Sequence, residues 1–177
     1  MAVPTPAVRL PRRHLHGDEA AHDARVRSTP EPTALLALAV AQARLGAATG
    51  GVPVGAALVD AGGEVLGAGH NRRVQDGDPA THGETAAFRA AGRRPHYRDT
   101  TMVTTLSPCF FCAGLIAQFR IPRLVVGEAR TFGGQHEWLA ARGVEVTVVD
   151  DAECAELMSR FAREQPDTWL EDIGGPE

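Results

Sequence analysis

Several things are scarce in this sequence. No apolar run approaches the roughly 20 residues needed to cross a bilayer, and the N-terminus lacks the apolar core of a secretion signal. A membrane role is excluded on this reading, and a cytoplasmic location is expected. Basic charge is not in excess: 18 Lys and Arg against 22 Asp and Glu leave a net −4. The pI near 6.0 lies far below the values above about 9 that mark an electrostatic nucleic-acid binder. A small, uncharged partner fits better. Cysteine is limited to three in 177 residues, with two paired as Cys109-x-x-Cys112. That is poor material for a disulfide framework and points to metal or redox chemistry in a reducing compartment. Aromatic residues make up only 5%, yet Trp169 stands in the last segment, "QPDTWLEDIG", beside Glu171, Asp172 and Ile173. Ends of chains fray unless something ties them down, so this segment either docks or has a task.

What is present is enough for one domain with a substantial core, since 44% of the residues are hydrophobic. Residues 1–31 are rich in Pro, Arg and His without apolar periodicity and read as a disordered extension. Its His14, His16 and His22 have no cysteine or scaffold nearby and are read as incidental. Residues 32–177 then form the domain. "PEPTALLALAVAQARLGAATGG" opens on proline, continues in helix formers and stops at Gly50 and Gly51. "VGAALVD" and "GEVLGAGH", joined by Ala61, Gly62 and Gly63, read as a β-hairpin. After the polar loop "NRRVQDGDPA", helices at "THGETAAFRAAG", "SPCFFCAGLIAQFR", "HEWLAARG" and "DAECAELMSRFAREQ" interleave with strands at "TTMVTTL", "RLVVGE" and "VEVTVVD". Pro166 is read as the stop of the last helix. The pattern predicts an α/β three-layer sandwich, with a mixed sheet of about five strands whose later members pair in parallel. Ligands of such sheets sit where helices begin at strand ends.

Both helix starts carry chemistry. Ser107 is the expected N-cap and Pro108 the first helical residue of "SPCFFC", which sets Cys109 and Cys112 on one face, with the positive helix end favouring thiolate. His82 and Glu84 open the other helix. Two thiolates and one imidazole suit zinc, and three protein donors leave the fourth position of a catalytic site open. Glu84 is then placed to move protons. Each residue also has a plainer role. Thr81-x-x-Glu84 is a capping box, a lone Cys-x-x-Cys can be a redox pair, and Cys154 reads as a buried small hydrophobe. Taken together, His82-x-Glu84 followed by Pro108-Cys109-x-x-Cys112 is the signature of zinc-dependent nucleobase deaminases.

With "GGVPVGAAL", "GHNRR", "HGE", "TTLSPCFFC", "IPRLVVGE", "RGVEVTVVDD" and "WLEDIG", the sequence resembles the cytidine deaminase superfamily and, within it, the fungal cytosine deaminases. The resemblance runs from about Gly50 to Gly174. It implies one zinc ion per subunit on His82, Cys109 and Cys112, with Glu84 as proton shuttle. It further implies that Asn71 and the backbone N–H of Gly83 hold the pyrimidine carbonyl edge, and that the carbonyl of Ser107 orients the leaving amine. Phe132 and Trp169 would wall the pocket with His70 against the ring, and Asp172 would accept the N1–H of the base. A carboxylate there favours a free base over a nucleoside, whose sugar occupies that atom. The implied reaction is cytosine plus water to uracil plus ammonia, in a homodimer.

Phe110 and Phe111 depart from the fungal pattern, which has an acidic residue and a methionine there. Core packing or a dimer contact is expected of them, a reshaped pocket being the alternative. Val54, one methylene below the usual isoleucine, is too small a change to read. The other functions weighed are deamination of another amino heterocycle such as a modified pyrimidine or guanine, tRNA adenosine deamination, and a non-catalytic zinc module.

Overall fold

The computed structural model describes residues 30–175. The extension expected over residues 1–31 lies outside them as far as Thr29, and so do its three histidines. Helix α1, Pro32–Ala48, starts with proline in its first turn and ends before Gly50, whose φ of 79° suits glycine. Strands β1, Gly55–Asp60, and β2, Val65–His70, form the expected antiparallel hairpin. Its turn is fixed by Asp60, whose Oδ1 accepts from the N–H groups of Gly62 at 2.8 Å and Glu64 at 2.9 Å.

The segment read as a polar loop contains a one-turn helix, α2, Arg73–Asp76. The chain continues through α3, Gly83–Ala91, β3, Thr100–Leu106, α4, Phe110–Gln118, and β4, Arg123–Glu128. It closes with α5, His136–Ala140, β5, Glu145–Val148, α6, Ala152–Glu164, and α7, Pro166–Asp172. The sheet order is β2-β1-β3-β4-β5. β1 is antiparallel to both neighbours, while β3, β4 and β5 run parallel.

Alternation along the strands divides the core into two faces. Ala56, Leu58, Met102, Leu124 and Val126 pack with Ala87 of α3, Ala113 and Ile116 of α4, and Leu139 of α5. Ala57, Val59, Val103 and Val125 face Leu35, Leu36, Ala39 and Val40 of α1 together with Cys154 of α6. Each large apolar side chain so buried contributes about 1.5–3 kcal/mol. Cys154 is 1% exposed, the small hydrophobe it was read to be.

The C-terminal segment adds a helix beyond the one read as last. Pro166 does end α6, because the residue before a proline is driven out of helical geometry, and Gln165 has φ −136° and ψ 60°. The same ring is pre-set for a first helical turn, so Pro166 also begins α7. α7 folds back onto the body, and Trp169 packs with Val52, Val54, Leu106, Met158 and Phe161.

Candidate active site

The starts of α3 and α4 meet at one pocket, with α7 across it. His82 and Cys109 are the N-caps of the two helices, both in extended conformation. This corrects the expected cap at Ser107 and the placing of Pro108 in the helix. The Ser107 hydroxyl is drawn away, donating to Gly133 O at 2.8 Å with His136 Nδ1 also at 2.8 Å. Pro108 belongs to the lead-in, its carbonyl accepting from Gln135 N–H at 2.7 Å.

His82 Nδ1 lies 3.5 Å from Cys109 Sγ and 3.7 Å from Cys112 Sγ, and the three donor atoms fall within 4.8 Å of one another. Glu84 is 3% exposed and faces the same pocket. The capping box is not formed. Thr81 Oγ1 instead donates to Asp78 Oδ2 at 2.6 Å and accepts from Arg89 Nη1 at 2.9 Å, and α3 has no side-chain cap bond. Gly83 sits where a Cβ would come 3.0 Å from Val54 O, so glycine lets the helix start approach the pocket floor.

The electrostatics are those of a proton-exchanging cluster. Burial raises the Glu84 carboxyl from 4.5 to about 7, with the charge of Cys109 adding to the effect. Cys109 is lowered to about 4, chiefly by the hydrogen bond from Cys112, with His82 also stabilising its thiolate. Cys112, the donor in that pair and buried, is pushed well up. Burial works against charge on His82, but the Cys109 hydrogen bond and the charge of Asp172 outweigh it and raise the imidazole to about 9.

Asp172, the last residue of α7, reaches the opposite wall. Its Oδ1 accepts from Asn71 Nδ2 at 2.9 Å and from Arg73 Nη1 at 3.2 Å. Asn71 Oδ1 in turn accepts from Arg73 N–H at 3.0 Å. That bond fixes the orientation of the amide and leaves a second Nδ2 hydrogen for a ligand. Arg73 was missed from sequence, where "NRRVQ" read as a loop; the available signal was a cation two residues after the asparagine.

Asn71, His82, Glu84, Ser107, Cys109, Phe132, Trp169 and Asp172 all line the pocket, with Val54, Leu106 and Ile173 completing it. The Phe132 and Trp169 rings meet edge to face with centroids 6.0 Å apart. Cys112 lies behind Cys109, fully buried. His70 does not join them. It precedes Asn71 at the end of an alternating strand, so its ring turns toward α1, with Nδ1 3.2 Å from Gln42 Oε1.

Residues 30–128 match the family described as the cytidine and deoxycytidylate deaminase zinc-binding region. The chain belongs to this deaminase family. It is 43% identical over 141 residues to a cytosine deaminase of Candida albicans, covering 78% of this chain and 94% of that one. It is 42% identical over 83 residues to a tRNA-specific adenosine deaminase of Haemophilus influenzae, covering 45% and 48%. The fold superposes on a guanine deaminase from Nitrosomonas europaea with a TM-score of 0.61 at 24% identity, covering 84% and 99%.

The donor set of this deaminase fits zinc. Tetrahedral bonds of about 2.3 Å to sulfur and 2.0–2.1 Å to nitrogen require a nitrogen-to-sulfur edge of about 3.6 Å, and the two edges here are 3.5 and 3.7 Å. Beside the donors the inner pocket has a volume of about 20 Å³, room for about one water.

Proposed function

We propose that this enzyme deaminates the free base cytosine, giving uracil and ammonia, with residues 32–177 acting as one domain closed by α7. The observation that carries the reading is that one pocket holds a three-donor metal set, a buried glutamate and a carboxylate supplied by the C-terminal helix. The 43% identity to the Candida albicans cytosine deaminase supports the choice of substrate.

His82, Cys109 and Cys112 would hold one zinc ion per subunit, whose Lewis acidity makes a water nucleophilic near neutral pH. Glu84 removes a proton from the attacking water and delivers it to ring N3, which makes C4 electrophilic. It then takes the proton of the hydroxyl now on C4 and passes it to the amine, which leaves as ammonia as the C4–N bond breaks and the C4 carbonyl forms. A carboxyl near 7 is suited to both directions of transfer. Asn71 Nδ2 and the Gly83 N–H hold the carbonyl edge, the Ser107 carbonyl orients the amine, and Phe132 and Trp169 wall the ring. Asp172 accepts N1–H through Oδ2, which makes no hydrogen bond among the described residues. A nucleoside has no hydrogen to offer there and adds a sugar, leaving Oδ2 of that carboxylate without a partner.

On this reading the enzyme works as a homodimer in the cytoplasm. No described helix is long and apolar enough to cross a membrane. The test is Glu84→Ala on zinc-loaded protein. Zinc content should be unchanged and kcat should fall by about 10²–10⁴, followed by the ultraviolet loss of cytosine. Retained turnover would remove Glu84 from the mechanism. Cytosine should be consumed and cytidine spared, and equal rates would remove Asp172 from its role.

A further inference from the structure

A second cavity, of about 410 Å³, adjoins the inner pocket. The two share His82, Cys109, Phe132, Asp172 and Ile173. Beyond these, the outer chamber is walled mainly by Pro79, Ala80, Phe110 and Phe111 and is therefore mostly apolar. Phe110 and Phe111 are 67% and 57% exposed, so of the two packing roles expected of them, core packing and a dimer contact, core packing is excluded. A pair of phenylalanines facing open space beside a reactive centre marks a contact surface.

The lining residues decide which edge of the substrate meets this chamber. The step rests on the reading above, with C4 at the metal donors, N3 at Glu84, the carbonyl at Asn71 and N1–H on Asp172. Between C4 and N1 a pyrimidine has two edges, N3–C2 and C5–C6. Asn71 and Glu84 line the inner pocket alone, so the N3–C2 edge faces inward. His82, Cys109 and Asp172, which hold the ends of both edges, line both cavities. The C5–C6 edge is left facing the outer chamber. C5 adjoins C4, and the Phe111 ring centroid lies 6.2 Å from that of His82, so a group on C5 is directed at Phe111.

We propose that the outer chamber is a subsite for an apolar substituent on C5, so that the enzyme accepts 5-alkylcytosines with chains longer than methyl. The occupant is the substituent of a substrate, because the chamber shares five wall residues with the substrate pocket and offers its carbon chain apolar walls. A buried methylene lowers KM about fourfold at the usual transfer value. A charged group of similar size gains nothing from these walls and loses its hydration.

The experiment compares cytosine, 5-methylcytosine, 5-propylcytosine and 5-carboxycytosine on the full-length zinc-loaded protein. KM for 5-propylcytosine should be at least tenfold below that for cytosine, and kcat/KM for 5-carboxycytosine at least tenfold below that for cytosine. Ala80→Trp, which fills the chamber, should lower the ratio of 5-propylcytosine to cytosine kcat/KM at least tenfold. Refusal of 5-propylcytosine while cytosine is consumed overturns the proposal and leaves the cytosine reading standing. Failure on every base, cytosine included, overturns both. If Phe110→Asp instead dissociates an oligomer by sedimentation and the parent refuses 5-propylcytosine, the chamber is the seat of a second copy and the proposal falls.

Discussion

At the scale of single residues, Glu84 joins stability to chemistry. Its carboxyl titrates at about 7 in the folded, metal-free chain against an ordinary value of 4.5. Below 4.5 both states hold the proton. Between 4.5 and about 7 the unfolded chain releases it while the folded chain keeps it, so the unfolded state binds fewer protons and stability falls as pH rises. Above about 7 the loss is complete and amounts to about 3 kcal/mol. Metal-free Glu84→Gln should therefore be more stable than its parent by up to about 3 kcal/mol at pH 8 and by nothing at pH 4, read by urea unfolding. An equal gain at both values would mean that charge burial is not the cause. Asp172 is a second such residue. Asp172→Asn keeps an oxygen for Asn71 and Arg73 but, on the proposed reading, loses the charge-assisted bond to substrate. A hydrogen bond to a charged group contributes about 1.5–3 kcal/mol, so cytosine kcat/KM should fall roughly ten- to a hundredfold. The loss should lie in KM, and a pure kcat effect would assign Asp172 to the chemical step.

At the scale of elements, α7 ties the chain end to the site. Trp169 is 8% exposed in a cluster with Val52, Val54 and Leu106, and truncating a buried tryptophan costs about 3–5 kcal/mol. Trp169→Ala should lower stability by about 3 kcal/mol. Truncation after Gln165 should keep zinc and abolish selective cytosine turnover, because Asp172 leaves with the helix while the three donors stay. Full activity after truncation would reduce α7 to a structural cover. Its importance was legible in the mixture of Trp169 and Asp172 near the terminus, but its helicity was not. Pro166 serves equally as stop and start, and what holds the following turn as a docked helix is the packing of Trp169 with Met158 and Phe161. The strands were readable because alternation such as Ala56, Leu58 against Ala57, Val59 records two buried faces directly. The helix starts were placed two residues early at α4 because a serine that can cap was already engaged by Gly133 and His136, partners distant in sequence. For the same reason His70 was expected in the pocket: motif adjacency to Asn71 does not reveal that successive residues of a strand point to opposite sides.

At the scale of the whole molecule, the metal donors join two helices on the same face of the sheet, so zinc affinity and global stability are linked. A ligand present at about a thousand times its dissociation constant adds about 4 kcal/mol to a protein that binds it only when folded. For a chain of this size that corresponds to roughly 8–16 °C in Tm. The gain must also depend on pH, because zinc needs a neutral imidazole and two thiolates. The metal-free fold holds a proton on His82 up to about 9 and another on Cys112, while Cys109 is already a thiolate. Binding at neutral pH therefore expels protons from His82 and Cys112, and the work of doing so shrinks as pH rises. The difference in Tm between zinc-loaded and metal-free protein should widen from pH 6 to pH 9, measured calorimetrically at fixed free zinc. Over the same range the enthalpy of zinc binding near pH 7 should vary with the ionisation enthalpy of the buffer, with a slope of about two protons released. A Tm difference that stays flat with pH, together with a buffer-independent enthalpy, would mean that the three donors are already deprotonated in the metal-free fold and that the cluster does not store protons in the way its hydrogen bonds imply.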